Sequence, residues 1–437
     1  MRSLTSSKVL PVVVLAAAIL FLGYGPDRSQ SVPLLVGYAV AFSAYAWSMF
    51  RASFSWKVLL LVAVGLRLML FLAPITWTDD HFRYIWDGLC SVNGISPFAF
   101  TPEELLRDRP DVFAQALFDR LNSPGFHSVY PPASQAVFAF SAWLGRGDAW
   151  ASTLALRAII IAMDVAAVFA LGALLRNDPN RTAKVALYAL NPLVLMELTV
   201  NLHTEALLIA PMLWAICLIK RQRFDLAALL LAVMAAIKLW PILFLAWVPS
   251  RLSIRRSIRF LAITIVVFTL AWVPFRTNGL IPHLASSVKL FASFLEFNGG
   301  LFEALRHFLG DDLVKGTWLL GAITVLALVI FIALQWIRRT MDLPEAMLWI
   351  LAIHLFGSQV VHPWYIVPLI ALAVLTGYRW PIAWSLLIMP TYLTYGSSPH
   401  AQPYWWIAIE YGLLLAFIAW ELRNAPQRCK VDLGPAT

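Results

Sequence analysis

The sequence predicts an all-α polytopic membrane protein, a single integral membrane domain spanning residues 1–437. Of its 437 residues, 60% are hydrophobic and only 13% are charged, and its mean hydropathy is +0.75. A soluble domain needs about a quarter of its residues charged, so soluble and disordered classes are excluded. The apolar residues occur in long runs, such as 9–23 and 258–273. Crossing a bilayer takes about 20 apolar residues per helix, and these runs fit that requirement.

Apolar runs divide the chain into roughly 12–14 predicted transmembrane helices. They lie near residues 9–24, 32–50, 57–75, 152–175, 183–199, 205–219, 224–237, 239–250, 257–274, 316–337, 343–361, 363–377, 379–395 and 403–422. Two longer polar segments interrupt them, an outer catalytic loop at 76–131 and a second outer loop at 275–315. The apolar run 133–144 is too short to cross simply, and we interpret it as an interfacial or re-entrant helix.

The distribution of charge predicts which side each loop faces. If 133–144 does not cross the membrane, the loops on one side and the two termini fall on the same side. Together they carry 20 of the 33 Lys and Arg residues but only 6 of the 24 Asp and Glu residues. Cytoplasmic loops of membrane proteins are enriched in Lys and Arg. We therefore place both termini in the cytoplasm and segment 76–131 outside. The net charge of +9 reflects these loops, so no nucleic-acid partner is predicted.

Several polar groups fall together on the predicted outer side. They are Asp79 and Asp80, His127 to Tyr130, His203 and Glu205, Lys238, and His362 to Tyr365. A carboxylate at the membrane surface can act as a general base on a hydroxyl, or hold a divalent cation near a phosphate. The alternative is a solvated acidic helix start, because Asp favours the first turn of a helix.

The spacing of these residues resembles a known family. Asp80-His-Phe-Arg83-Tyr84-Ile-Trp-Asp87-Gly, followed by Asn-Gly-Ile-Ser-Pro-Phe at 93–98, is similar to the first-loop signature of GT-C glycosyltransferases. Within them it resembles bacterial polyprenyl-phosphate-mannose-dependent mannosyltransferases. Four later elements resemble motifs of the same branch: His127-Ser-Val-Tyr130-Pro-Pro, Asn-Leu-His203-Thr-Glu205, Lys238-Leu-Trp-Pro and His362-Pro-Trp-Tyr365. Glu205 stands where the family usually has Asp.

The resemblance implies an inverting transfer of a sugar, with mannose expected, from a polyprenyl-phosphate donor to a lipid or glycan acceptor. It implies Asp80 as catalytic base, Asp79 beside it, and Lys238 and Arg83 as ligands of the donor phosphate. Substrate contacts are expected from the remaining motif residues: Tyr84, Asp87, His127, Tyr130, His203, Glu205, His362 and Tyr365. No cofactor is required by the pattern, and a divalent cation, Mg²⁺ or Mn²⁺, has only Asp79 and Asp80 as candidate ligands. The expected location is the bacterial inner membrane, among membrane lipids, with the site on the periplasmic side.

Other interpretations stay open at this stage. A membrane transporter or lipid flippase also carries charges within its spans, but it often shows inverted repeats, and no repeat is evident here. Lys238 is either a phosphate ligand or an anchor that reaches the interface. Trp364 belongs either to an interfacial aromatic belt or to a sugar-binding surface. Arg67 and Asp164 lie within predicted spans and are expected to form a buried ion pair.

Overall fold

The protein folds as a bundle of α-helices, as the apolar runs predict. The computed structural model describes residues 6–51, 54–293, 295–311, 319–397 and 400–424. Its α-helices are Ser6–Tyr24, Ser31–Arg51, Trp56–Met69, Asp80–Val92, Pro102–Asp108, Gln115–Phe118, Pro132–Leu144, Ala149–Leu174, Arg181–Ala189, Pro192–Val194, Glu205–Lys220, Phe224–Ile237, Ile254–Trp272, Leu280–Ser293, Gly300–Leu309, Leu319–Arg338, Leu343–Phe356, Val367–Thr376, Trp380–Leu387 and Tyr404–Asn424. Within the described ranges, β-structure is limited to isolated bridges of Phe297 and Asn298 with Val360.

Long apolar helices confirm a polytopic membrane protein. Five described helices are long and apolar enough to cross a bilayer, Ser31–Phe50, Ala149–Leu174, Ile254–Phe275, Leu319–Arg338 and Tyr404–Asn424. A sixth is possible if the pair Arg181–Ala189 and Pro192–Val200, bent by 47°, forms one span. Four apolar helices of 10–17 residues add to these.

By helix length and composition alone, the described residues therefore contain fewer membrane-spanning helices than the 12–14 predicted. The run at 239–250 was predicted as a span, but it forms two short 3₁₀ segments, Trp240–Ala246 and Val248–Arg251. The run at 379–395 divides into the helix Trp380–Leu387 and a 3₁₀ segment, Met389–Gly396. Proline at the second residue of each 3₁₀ segment removes a backbone donor and restricts the preceding residue, which opposes one continuous helix.

The ionisable residues predicted inside the membrane form the expected buried pair. Arg67 Nε donates to Asp164 Oδ2 at 2.7 Å, and both side chains are fully buried. The Tyr188 hydroxyl donates to the other carboxylate oxygen at 2.7 Å. Charges in an apolar interior are retained when partners satisfy them, so this cluster joins three helices and is separate from the outer motifs.

Residues 76–131 and 275–315 are called the first and second outer segments after the location that the sequence predicts for them. The first is built on the helix Asp80–Val92, which packs along Pro132–Leu144. Gly88 permits this close approach, because a Cβ atom there would lie 2.4 Å from the Phe138 carbonyl oxygen. On the opposite side of the helix, Trp86 stacks on Phe113 in a small apolar cluster of the segment itself. The helix is thereby held between the bundle and its own loop, with its first residue, Asp80, at the site described below.

The second outer segment, 275–315, contains the helices Leu280–Ser293 and Gly300–Leu309. Residues 294 and 312–315 of this predicted loop lie outside the described residues. The segment contacts the first one directly: Ser96 Oγ donates to the Phe275 carbonyl at 3.3 Å, and Ser287 Oγ donates to the His127 carbonyl at 3.0 Å. The two polar segments thus lie together on one end of the bundle.

Candidate active site

Asp80 begins its helix and presents a partly exposed carboxylate. The backbone N–H of Asp80 donates to Thr78 Oγ1 at 3.2 Å, and Asn122 Nδ2 donates to Asp80 Oδ1 at 2.9 Å. The second oxygen, Oδ2, lies 4.0 Å from His203 Nδ1, and the Asp80 side chain keeps 24% of its surface exposed. The carboxylate is therefore held in place by the outer segment and still reachable by a substrate.

Asp79 faces a different set of groups. Its carboxylate forms an ion pair with Arg28, whose guanidinium lies 4.7 Å from the centre of the Tyr395 ring. The two adjacent carboxylates therefore diverge: Asp79 faces Arg28, and Asp80 lies near His203. Within the described part of the chain, no three His, Cys, Asp or Glu side chains come together to hold a metal ion.

Lys238 stands at the break between two helical segments. It follows the helix Phe224–Ile237 with extended backbone angles, and its ammonium forms an ion pair with Glu205. The ammonium also lies 4.7 Å from the centre of the Tyr365 ring. Glu205 is only 3% exposed at its side chain, whereas Lys238 is 20% exposed. This cation is too enclosed for a solvated anchor and can meet an anion that enters the site.

His203 and His362 flank the same tryptophan. The His203 ring stacks on Trp364 with centroids 3.6 Å apart, and the His362 ring stacks on Trp364 at 4.2 Å. Trp364 is 8% exposed, so the interpretation as an interfacial belt is wrong: the ring packs against two imidazoles. Burial lowers the pKa of His362 to about 3, which keeps that ring neutral.

Tyrosines link Asp80 to the Lys238 pair. Tyr84 and Tyr130 meet edge to face, with ring centres 5.0 Å apart, and the Asp80 carboxylate acts electrostatically on both hydroxyls. Burial raises the pKa of both tyrosines well above the usual value, so they remain protonated hydrogen-bond donors. Tyr365 is under the electrostatic influence of both Asp80 and Glu205. Asp80 and the Lys238–Glu205 pair are therefore both close enough to Tyr365 to act on it.

Arg83 and Asp87 lie inside the outer segment, joined to each other. Arg83 Nε donates to Asp87 Oδ1 at 2.8 Å, with side chains 5% and 0% exposed. Arg83 also donates to two loop carbonyls, and Asp87 Oδ2 accepts from Ser128 Oγ and, at 2.9 Å, from Gln135 Nε2. The structure therefore does not bring these two predicted ligands together with Lys238. Their hydrogen bonds are used in closing the loop onto the bundle.

His127 also lies apart from Asp80. Its ring stacks on His283 of the second outer segment with centroids 3.8 Å apart and a 10° angle between the planes. A ring nitrogen of His283 lies 2.8 Å from the Phe98 carbonyl oxygen. Burial, and next the neighbouring imidazole, lowers the pKa of His127. This predicted substrate contact is instead placed where the two outer segments meet.

One carboxylate next to the site was not singled out from the sequence. Glu197 is fully buried on the π-helical segment Leu195–Val200, and its Oε2 lies 3.3 Å from His203 Nε2. The sequence feature that could have identified it is a single acidic residue within an apolar run, six positions before His203. Such residues within membrane segments commonly mark functional sites, and π-helical turns often occur at them.

Comparison with known proteins finds a family model that matches this chain. The family model described as alpha-(1→6)-mannopyranosyltransferase, N-terminal domain, matches residues 8–252. That match covers more than half of the chain and includes Asp80, Glu197, His203, Glu205 and Lys238. No curated protein matches the sequence.

Proposed function

The chain belongs to the alpha-(1→6)-mannopyranosyltransferase family, a group of GT-C mannosyltransferases, and from this premise we propose the donor, the chemistry and the side of the membrane. The donor is a polyprenyl-phosphate mannose, and the acceptor is a hydroxyl of a lipid or glycan at the outer face of the membrane. The transfer inverts the anomeric configuration. The family assignment favours an enzyme over the transporter or flippase that the sequence alone left open.

One observation carries this proposal: a reachable carboxylate and an enclosed cation pair act on the same tyrosine ring, Tyr365, although they come from segments far apart in sequence. Asp80 lies on the first outer segment, Lys238 follows the helix Phe224–Ile237, and Tyr365 is influenced electrostatically by Asp80 and by the Glu205 partner of Lys238. An inverting transfer needs these two groups. A base must act at the acceptor, and a cation must act where the leaving phosphate gains charge.

The proposed reaction is a single displacement. The Asp80 carboxylate removes the proton of the acceptor hydroxyl as its oxygen bonds to the anomeric carbon. The bond from that carbon to the phosphate oxygen breaks, and the electron pair leaves with the lipid phosphate. Lys238 stabilises that developing charge, which is effective because its surroundings are largely closed to water. The buried Glu205 holds the ammonium at the site before donor binds.

The remaining predicted ligands divide into two groups in this proposal. Tyr84, Tyr130 and Tyr365, with His362, line the substrate site around Asp80. Their protonated hydroxyls and ring faces suit a sugar, which offers hydroxyl groups and apolar C–H faces to them. Arg83, Asp87 and His127 instead hold the outer segments in place, through the ion pair and the stacked imidazoles described above.

The direct test compares the two neighbouring carboxylates in a transfer assay with purified protein and polyprenyl-phosphate mannose. Asp80→Asn keeps the size of the side chain and removes the basic carboxylate, so transfer should fall about 10²- to 10⁴-fold while donor still binds. Asp79→Asn is the matched control and should cost far less, because Asp79 pairs with Arg28. The anomeric configuration of the product, determined by NMR, tests inversion.

Three outcomes contradict the proposal in different ways. If Asp79→Asn abolishes transfer and Asp80→Asn keeps the parental rate, the base is the wrong carboxylate. If both variants transfer at the parental rate, the outer segment does not supply a base. Transfer from a nucleotide-linked mannose in the absence of any lipid-phosphate donor would reject the donor class.

A further inference from the structure

Glu197 is a buried carboxylate whose two oxygens have separate partners. The Tyr392 hydroxyl donates to Oε1 at 2.9 Å, and Asn201 Nδ2 donates to Oε2 at 2.9 Å. The same Oε2 lies 3.3 Å from His203 Nε2. An ionised carboxylate in an apolar helical segment is costly and is usually functional. Here its charge is directed at an imidazole.

That imidazole, the ring of His203, lies between Glu197 and Asp80. His203 is fully buried, with Nε2 near Glu197 and Nδ1 4.0 Å from Asp80 Oδ2. Neither ring nitrogen has a hydrogen-bond partner among the described residues. Stacking on Trp364, with 12° between the planes, limits rotation of the ring out of this plane. Contacts between catalytic groups are often long in the absence of substrate and shorten to hydrogen bonds when the reacting complex forms.

We propose that His203 accepts from Asp80 the proton that Asp80 removes from the acceptor, and that Glu197 is the positioning residue that makes this transfer possible. The inference rests on the proposed function, in which Asp80 is the base. Glu197 holds His203 as the tautomer with its proton on Nε2, so that the lone pair of Nδ1 faces Asp80. The negative charge of Glu197 then stabilises the imidazolium.

One proton and one electron pair move in the proposed reaction. The acceptor proton passes to Asp80 Oδ2 and then to His203 Nδ1, while the new glycosidic bond forms and the bond to phosphate breaks. The lipid phosphate leaves with the electron pair of that bond. After product departs, the proton returns through the partly exposed Asp80 carboxylate to water, and both residues regain their starting states.

Other titratable groups also act on the His203 ring. They are His81, from the helix that begins at Asp80, and His362, from the segment before Pro363–Ile366. Lys238 acts on His362 in turn. Burial lowers the pKa of both His81 and His362 to about 3, so these two rings stay neutral when the medium is acidified. Arg157 also acts on His81, whereas Asp80 and Glu197 each place a carboxylate oxygen within 4.0 Å of a His203 ring nitrogen.

The test is Glu197→Gln in the full chain, assayed for kcat, donor Kd and the pH dependence of kcat. We expect kcat to fall about 10²-fold or more, the range of a lost acid–base partner, with donor Kd unchanged. The acid limb of the kcat profile should move to lower pH, because without the neighbouring negative charge the imidazole binds a proton less readily. Glu197→Asp, which keeps the charge, should recover part of the rate.

Tyr392→Phe is the matched control. It removes one hydrogen bond from the same carboxylate but leaves the charge and the oxygen that faces His203. Tyr392→Phe should keep kcat within about threefold of the parental value, because a single lost neutral hydrogen bond costs little here, and should keep the acid limb in place. If it lowers kcat as much as Glu197→Gln does, the role of Glu197 is structural and the inference fails.

The inference is also overturned if folded Glu197→Gln shows the parental kcat and acid limb. If that variant does not fold, His203→Asn provides the second measurement, with the same expected loss of kcat and unchanged donor Kd, and a parental kcat overturns the inference. Failure of the proposed function is distinguished by Asp80→Asn. An active Asp80→Asn rejects the base itself. An inactive Asp80→Asn beside an active His203→Asn rejects only the proton transfer to His203.

Discussion

Replacing Lys238 with methionine separates two roles of its ammonium, the observed one as partner of Glu205 and the proposed one as ligand of the donor phosphate. Glu205 is 3% exposed at its side chain and pairs with Lys238, and its second oxygen has no hydrogen-bond partner among the described residues. Lys238→Met therefore leaves a buried carboxylate without its cation. A single substitution at this position changes both the stability of the fold and the affinity for donor.

The two effects have separate expected sizes. Removing one member of a buried ion pair destabilises a protein by about 3–5 kcal/mol, whereas replacing both members with neutral groups is often nearly neutral. Loss of a charged hydrogen-bond partner of the phosphate costs roughly 1.5–3 kcal/mol of binding. That loss corresponds to an increase of about 10- to 150-fold in donor Kd. Glu205→Gln supplies the background in which the second effect is seen alone.

The assay is a cycle of Lys238→Met, Glu205→Gln and the double variant. Donor binding is measured by calorimetry and unfolding by the thermal midpoint of the purified protein. We expect Lys238→Met to lower the midpoint and the double variant to recover most of it, while donor Kd remains raised in the double variant. Lys238→Arg is the matched control, since it keeps a cation and should lose less donor affinity than Lys238→Met.

One pattern of donor affinities would refute a role for Lys238 in donor binding. If the double variant binds donor as tightly as Glu205→Gln alone, Lys238 only neutralises Glu205 and contributes nothing to donor recognition. The cation for the leaving phosphate must then come from elsewhere, and the mechanism loses its second element.

Three more predictions test the surroundings of the site. Cysteines introduced at Ser91 and Ser253 should label from opposite faces of the membrane, and labelling from one face rejects the predicted topology. Arg83→Met should lower the free energy of unfolding by about 3–5 kcal/mol, because a buried carboxylate loses its cation; an unchanged unfolding midpoint contradicts this. His127 has a lowered pKa in the fold. Its contact with His283 therefore stabilises the fold fully above pH about 6.5, the pKa of histidine in an unfolded chain, and this stabilisation is lost as the pH falls toward the folded pKa. Hydrogen exchange of the outer segments should therefore increase on acidification in the parent, and this increase should be smaller in His127→Phe.

Hydropathy identified most of the apolar helices and failed where the backbone is irregular. The runs near 32–50, 152–175 and 403–422 correspond to long helices in the structure. The run at 239–250 has the composition of a span and folds as 3₁₀ segments, and 183–199 is bent by 47°. Average hydropathy does not detect a single proline that interrupts the hydrogen-bond pattern of a helix.

The sequence by itself determined the all-α membrane class, the two long polar segments and the motifs that carry the family resemblance, because each depends on composition or on short spacing along the chain. Only the tertiary structure decided which side chains meet. Asp79 and Asp80 are adjacent in sequence, yet one pairs with Arg28 and the other lies near His203. Arg83 matches the family spacing but is buried against Asp87. The direction of a side chain at a helix end depends on the packing of segments distant in sequence, which neither spacing nor hydropathy records.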